Sequence, residues 1–317
     1  MVRSNRRRFL QSMLLMGGSI FLNPSSLFAS FGECKIAVIV MDGLRPDLAM
    51  EMHNDQTTTI STFVNHDTFH CLGLSCTQTG AATLWTGVPP YFHKAVENQS
   101  YYDASLPEFP YKYFHIIPKL MHYYRNDDLF TVWVSGKAKN VRGNVPCSVH
   151  SHMYARIYYN ISPGFYMGDG MYEDSQVEDA AINAIREAVV HNNYIIYVHY
   201  NMPDVCGHQY EDYDKYVQEA YTTDIRVRNV INELPTDTKI ILLSDHGFNV
   251  LSLGELENGH RMSPVVPIFT NFMPSDEIDN HADVSRLIYS LAGGDPDRTR
   301  LMKAGTRTVH GYRMYGG

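Results

Sequence analysis

Four short runs of apolar residues, mostly β-branched or aromatic, restrict the fold of this chain more than any other feature of its sequence. They are Lys35 to Met41, Leu129 to Val134, Tyr194 to Tyr200 and Lys239 to Leu243. Each is nearly continuous in hydrophobicity, the pattern of strands covered on both faces. Between the third and fourth, Val217, Ala220, Tyr221, Val227, Val230, Ile231 and Leu234 recur at spacings of three or four over most of the segment, which predicts an amphipathic helix. Val177 to Val190 predicts a second helix, and Ala282 to Leu291 a third, stopped by the Gly293-Gly294 pair. Strands alternating with helices join in parallel through crossovers. The expected fold is therefore α/β, with a mostly parallel central sheet and helices on both faces.

Segments 88–112 and 138–176 are rich in Tyr, Pro, Gly, Asn and Ser and hold neither period, so they read as loops or a small loop-rich cap. No internal repeat or low-complexity linker divides the chain. Residues 34–317 are expected to form one domain, for which an apolar fraction of 44% is sufficient.

The first residues read as an address rather than a fold element. Asn5-Arg6-Arg7-Arg8-Phe9-Leu10-Gln11 resembles a twin-arginine export signal and is followed by an apolar run from Met13 to Leu22, then by Pro24, Ser25 and Ser26. Cleavage near Ala29 would make residues 1–29 the signal peptide and place the product in the periplasm or otherwise outside the cytoplasm, with no stable membrane insertion once processed. An uncleaved anchor is the alternative. The whole chain carries a formal charge of −8, and loss of Arg3, Arg6, Arg7 and Arg8 with no carboxylate would make the remainder more acidic. That balance argues against binding a nucleic-acid duplex, and an anionic substrate must be drawn in locally, by metals or a few placed cations. The cysteines Cys34, Cys71, Cys76, Cys147 and Cys206 form no CxxC pair, so thiolate ligation of a metal is not expected. Cys71 and Cys76 could pair in an oxidising compartment.

Three of the predicted strands run into a carboxylate and turn residues: Met41-Asp42-Gly43, Met202-Pro203-Asp204 and Ser244-Asp245-His246-Gly247. In an open α/β sheet the carboxyl ends of parallel strands line the ligand crevice, so these aspartates should converge. Crowded carboxylates repel and take up protons unless cations hold them ionised. Suitable partners lie close by, with His208 four residues after Asp204, His246 next to Asp245, and His260 further on. A mixed Asp and His set suits zinc, with manganese or another divalent ion as the alternative. Two such ions can activate a hydroxyl nucleophile and stabilise the leaving oxygen of a phosphoryl ester.

In this order the motifs resemble the alkaline phosphatase superfamily, and within it the nucleotide pyrophosphatase/phosphodiesterase and phosphonoacetate hydrolase branch. The family's sequence of an Asp after the first strand, a nucleophile opening a helix, Asp-x-x-x-His, Asp-His-Gly and a late His is met across about residues 34–292. The resemblance implies an alkaline phosphatase-like fold, two divalent metals and a small phosphate-ester substrate. It also implies the nucleophile, which the family places ten residues before the Gly of a Leu-x-Thr-Gly segment: here Leu84-Trp85-Thr86-Gly87, hence Thr77. Ser75 and Cys76 are the weaker candidates, and the Cys-x-Pro-Ser-Arg signature of sulfatases is absent. Residue by residue, the match implies one metal on Asp204, His208 and His260 and the other on Asp42, Thr77, Asp245 and His246. His310, in Val309-His310-Gly311-Tyr312, is the alternative late ligand. The chain departs from the pattern at Gly80, where phosphodiesterase relatives carry an asparagine; backbone amides or Lys137 would take over its contact to a phosphoryl oxygen.

Taken singly, Asp42 would be a turn residue, Thr77 a helix cap, His199 a hydrogen-bonded core histidine, Lys137 a solvated lysine and Cys206 a small buried residue. Only the ordered set points to chemistry. The activity expected from it is metal-dependent hydrolysis of phosphate esters, most of all diesters, through a threonyl-phosphoryl intermediate. The alternatives are a phosphotransferase or mutase of the same superfamily and an exported phosphate-ester-binding protein without turnover.

Overall fold

The computed structural model describes residues 34–71, 77–87, 129–136, 155–158, 173–210, 212–249 and 263–292. Its strands are β1 (Lys35–Met41), β2 (Asn65–His70), β3 (Leu129–Ser135), β4 (Ala155–Tyr158), β5 (Asn193–Tyr200), β6 (Lys239–Leu243) and β7 (Val265–Thr270). They form one seven-stranded sheet in the order β2-β7-β6-β1-β5-β3-β4. β1 is central and pairs in parallel with β5 from Lys35↔Tyr194 to Met41↔Tyr200 and with β6 from Ile36↔Lys239 to Val40↔Leu243. β3 is parallel to both β5 and β4. Only β7 runs the other way, antiparallel to β6 and to β2.

Six described helices accompany the sheet: α1 (Pro46–Asn54), α2 (Thr77–Thr86), α3 (Asp174–Ala188), α4 (Met202–Tyr210), α5 (Tyr213–Asn232) and α6 (His281–Leu291). Successive strand residues face opposite sides, which divides the core in two. Ile36, Val38, Val40, Ile195, Tyr197, Ile241 and Leu243 pack with Ala81 and Leu84 of α2 and Val284, Leu287 and Ile288 of α6. Ala37, Ile39, Met41, Ile196, Val198, Tyr200 and Leu242 pack on the other face with residues of α1, α3 and α5. The expected fold class is met, and the continuous hydrophobicity of β1 has its cause in burial from both sides.

Boundaries differ where caps outrank periodicity. α3 begins at Asp174, three residues before the first apolar position, because Glu173 and Gln176 form a capping box. The segment expected to be a loop-rich cap, 138–176, therefore contains β4 and the first residues of α3. α5 begins at Tyr213 because the Asp212 carboxylate accepts the amides of Asp214 and Lys215. Met202-Pro203-Asp204 is not a turn but the opening of α4, where a proline costs little because first-turn amides have no partner within the helix. β2 and β7 escape periodicity for opposite reasons: β2 buries only Phe69, and β7 carries Pro267. Cys34, Cys71 and Cys206 are buried. Cys76, the partner considered for Cys71, and Cys147 lie outside the described residues.

Candidate metal centre

Strand alternation decides where the carboxylates point. Asp42 follows β1 in phase with Val38 and Val40, and Asp245 follows β6 in phase with Leu243, so both lie on the side of the sheet that α2 covers. The first residue of α2 is Thr77, and its Oγ1 lies 3.3 Å from Asp42 Oδ1 and 2.9 Å from His246 Nε2. α4 follows β5 after the single residue Asn201 and brings Asp204 into the same region, with Asp204 Oδ1 3.8 Å from His246 Nε2. Asp42, Thr77, Asp204, Asp245 and His246 are all buried.

Two glycines permit this convergence. Gly43 adopts a φ of 71°, a turn that L side chains avoid, and a Cβ there would stand 3.0 Å from Asp204 Cβ. At Gly80 a Cβ would stand 2.3 Å from the Asp245 carbonyl oxygen. α2 thus rests directly on the backbone of the Asp245 turn, and no side chain can occupy the position where an asparagine is the family pattern.

His246 could serve as a metal ligand. Its Nδ1 lies 2.9 Å from the Gly247 carbonyl, an acceptor, so Nδ1 carries a proton, and a bound cation would take the place of the second proton at Nε2. Nε2 points at Asp42 Oδ1, 3.0 Å away. Ligand atoms of Asp42, Asp245 and His246 all lie within 4.8 Å of one another, a spacing that one divalent cation can bridge. The electrostatics agree. Burial works against an imidazolium, yet the carboxylates of Asp245, Asp42 and Asp204 outweigh it and push His246 up to about 10 in the metal-free protein. The cluster draws in a cation, and a proton is the smallest that serves.

The second expected ligand group is assembled in part. Asp204 and His208 occupy one face of α4, a turn apart, with His208 Nε2 3.4 Å from Asp204 Oδ1. His208 is the more exposed partner, at 36% of its side chain, and its ring stands edge-on to Phe248. Cys206, between them, packs with Met202 and Val205, and burial pushes its thiol up to about 12, which leaves it protonated and a poor ligand. His260, His310 and Lys137 lie outside the described residues.

Three supporting groups had no signal in the sequence. His281 donates from Nε2 to the Ser244 carbonyl 3.1 Å away, and burial holds it neutral, down to about 4. Asp174 Oδ1 accepts the amides of Asn201 and Met202 at the start of α4. Tyr216, on α5, donates to the Gly43 carbonyl at 2.7 Å and accepts the Arg45 amide at 3.0 Å, which bolts down the turn that follows Asp42. Burial raises its phenol further above the ordinary value, so it stays a donor. Tyr216→Phe leaves both backbone groups without that oxygen and is expected to cost about 1–3 kcal/mol. Urea melts at neutral pH measure it; an unchanged midpoint would mean that water replaces the phenol.

Solved structures share this layered, mostly parallel sheet. Phosphonoacetate hydrolase from Sinorhizobium meliloti 1021, in complex with phosphonoacetate, superposes with a TM-score of 0.58 at 11% identity, over 82% of this chain and 95% of that one. An alkaline phosphatase mutant of the Antarctic bacterium TAB5, with Mg bound, gives 0.55 at 12% identity over 82% and 98%. The zinc complex of the C-terminal periplasmic domain of EptC from Escherichia coli gives 0.55 at 15% over 84% and 86%. No curated protein sequence matches the chain. The family model described as type I phosphodiesterase / nucleotide pyrophosphatase matches residues 36–268, and the chain belongs to that family of phosphoric ester hydrolases.

Proposed function

We propose that this chain is an exported, two-metal phosphodiesterase with Thr77 as its nucleophile. The observation that carries the reading is the position of the Thr77 hydroxyl, at the N-terminus of α2 and within 3.3 Å of both Asp42 and His246. One divalent cation would be held by Asp42, Asp245, His246 and the Thr77 oxygen, the other by Asp204, His208 and His260. Such cations, when bound, lower the pKa of the hydroxyl and neutralise charge on the phosphoryl oxygens and the leaving group. Zinc suits this donor set best, with manganese as the alternative.

Thr77 Oγ1 attacks phosphorus in line, forming the Oγ1–P bond as the bond to the leaving alkoxide breaks on the far side. Water then attacks the threonyl phosphodiester at phosphorus, the P–Oγ1 bond breaks, and a phosphate monoester departs with Thr77 regenerated. The positive end of α2 favours the anionic group beside Thr77. Export rests on the twin-arginine-like residues 5–11. No described helix is long and apolar enough to cross a membrane.

The test is to purify the chain, count bound metal, and compare nitrophenyl phosphate, bis-nitrophenyl phosphate and a thymidine phosphodiester with and without chelator. About two divalent ions per chain and chelator-sensitive cleavage of the diesters support the reading. Transfer of the phosphoryl group to an added alcohol in preference to water would make the chain a phosphotransferase. Metal and tight ester binding without turnover would make it a binding protein.

A further inference from the structure

Behind the carboxylates, on the side away from Thr77, stands a histidine that the metal reading does not use. His199 is 1% exposed, and its Nε2 lies 3.4 Å from Asp42 Oδ2 and 3.8 Å from Asp245 Oδ2. Its Nδ1 lies 3.2 Å from Ser135 Oγ. We propose that His199 and Ser135 form a positioning pair that orients the metal-ligating carboxylates of Asp42 and Asp245 and thereby sets metal affinity. The inference rests on the proposed reading of those two aspartates as ligands.

Nε2 stands at ion-pair distance from the two carboxylates, and the ring's tautomer follows from its neighbours. Carboxylate oxygens only accept, so Nε2 carries the ring proton when it faces them. Nδ1 of the neutral ring is then an acceptor, and the Ser135 hydroxyl donates to it. Asp42 divides its oxygens accordingly. Oδ1 faces inward, to Thr77 and His246, while Oδ2 faces His199. Asp245 differs: Oδ1 lies toward the amides of Gly43 and His246, and Oδ2 lies between the two histidines, 3.8 Å from His199 Nε2 and 3.9 Å from His246 Nε2.

The backbone fixes the pair. Ser135 and His199 are register partners between β3 and β5, and the Gly136 amide donates to the His199 carbonyl at 2.9 Å. His199 continues a strand face on which Ile195 and Tyr197 are core residues, so periodicity alone would place a hydrocarbon there. A hydrocarbon would set an apolar wall against Asp42 Oδ2 and Asp245 Oδ2, the two carboxylate oxygens that His199 Nε2 faces. Groups of this kind, behind the ligands of a metal, are worth roughly 10- to 100-fold in metal affinity.

The experiment compares wild type, His199→Leu, His199→Gln and Ser135→Ala by zinc titration against a competing chelator and by the visible spectrum of the cobalt-loaded proteins, with circular dichroism as the check on folding. His199→Leu is expected to weaken one of the two metal sites roughly 10- to 100-fold and to alter the cobalt spectrum. His199→Gln keeps a donor and is expected to recover most of the affinity; Ser135→Ala should weaken the same site several-fold. A folded His199→Leu with wild-type affinity and spectrum overturns the inference, as does a His199→Gln no better than leucine. Should His199→Leu not fold, wild-type affinity in Ser135→Ala overturns it instead. Wild-type protein that binds no divalent metal overturns the metal reading itself, an outcome separable from the others because it appears before any substitution.

Discussion

Thr77→Ala is expected to lower kcat for a phosphodiester by roughly four to six orders of magnitude, the scale on which loss of a covalent nucleophile acts. KM and metal content should stay near wild type. The asymmetry follows from geometry. Thr77 contributes one oxygen to the cluster, whereas Asp42, Asp245 and His246 place their ligand atoms within 4.8 Å of one another without it. Its Cβ opens α2, which is fixed independently by its seat on the Asp245 carbonyl at Gly80 and by the Gly87 amide, which closes the helix on Thr83 at 2.9 Å. Alanine therefore removes the nucleophile and one of the four proposed donors to its cation, and leaves the other three in place. Thr77→Ser restores a hydroxyl at the same position and should recover a large part of the rate, and an acid-quenched turnover should trap phosphorylated Thr77 in wild type only. Normal turnover by Thr77→Ala would end the threonyl mechanism while leaving the metal centre intact, because the two are measured separately.

The sheet was legible in the sequence wherever a strand is buried on both faces. β1 and β6 have the expected bounds, and β3 and β5 exceed theirs by one residue, because continuous hydrophobicity has no other economical explanation in so short a run. The antiparallel edge was not legible. β2 shows its partner mostly polar side chains, and its place in the sheet comes mainly from backbone pairing with β7, which leaves little pattern to read. α1 was missed because its nine residues hold only three buried positions, Leu48, Ala49 and Met52.

At the candidate site the legible part was the chemistry-bearing residues, since Asp, His and Thr at strand and helix ends stand out against hydrophobic runs. Their supports did not stand out. Tyr216 and Asp174 act across 173 and 27 residues of chain, through backbone groups whose positions exist only once the sheet has formed. His199 reads as a hydrogen-bonded core histidine, and its burial and the Ser135 hydroxyl 3.2 Å from its Nδ1 bear that out. Only the register of β5 against β1 places it beside the two carboxylates.

Asp174 makes the second large effect, and it concerns stability. Its carboxylate is 1% exposed, accepts the Asn201 and Met202 amides at 2.9 and 3.2 Å through Oδ1, and accepts the Thr223 hydroxyl at 2.8 Å through Oδ2. Burial raises its pKa from 3.8 to about 7, against the pull of those hydrogen bonds and with Glu219 adding to the rise. A carboxyl that holds its proton more tightly when folded stabilises the fold fully below its unfolded pKa. That contribution is lost as pH climbs from about 4 to about 7. Asparagine has the shape of the protonated acid and keeps an oxygen for the two amides, but it cannot ionise. Asp174→Asn should thus gain on wild type through this window, by a total of about 4 kcal/mol as an upper limit, and stay level above pH 8. Urea unfolding of both proteins at pH 5, 6, 7 and 8, in chelator so that metal binding does not enter, gives the difference directly. A stability difference that does not vary with pH would show that Asp174 titrates at its ordinary value, and that the amides opening α4 meet the full cost of burying its charge.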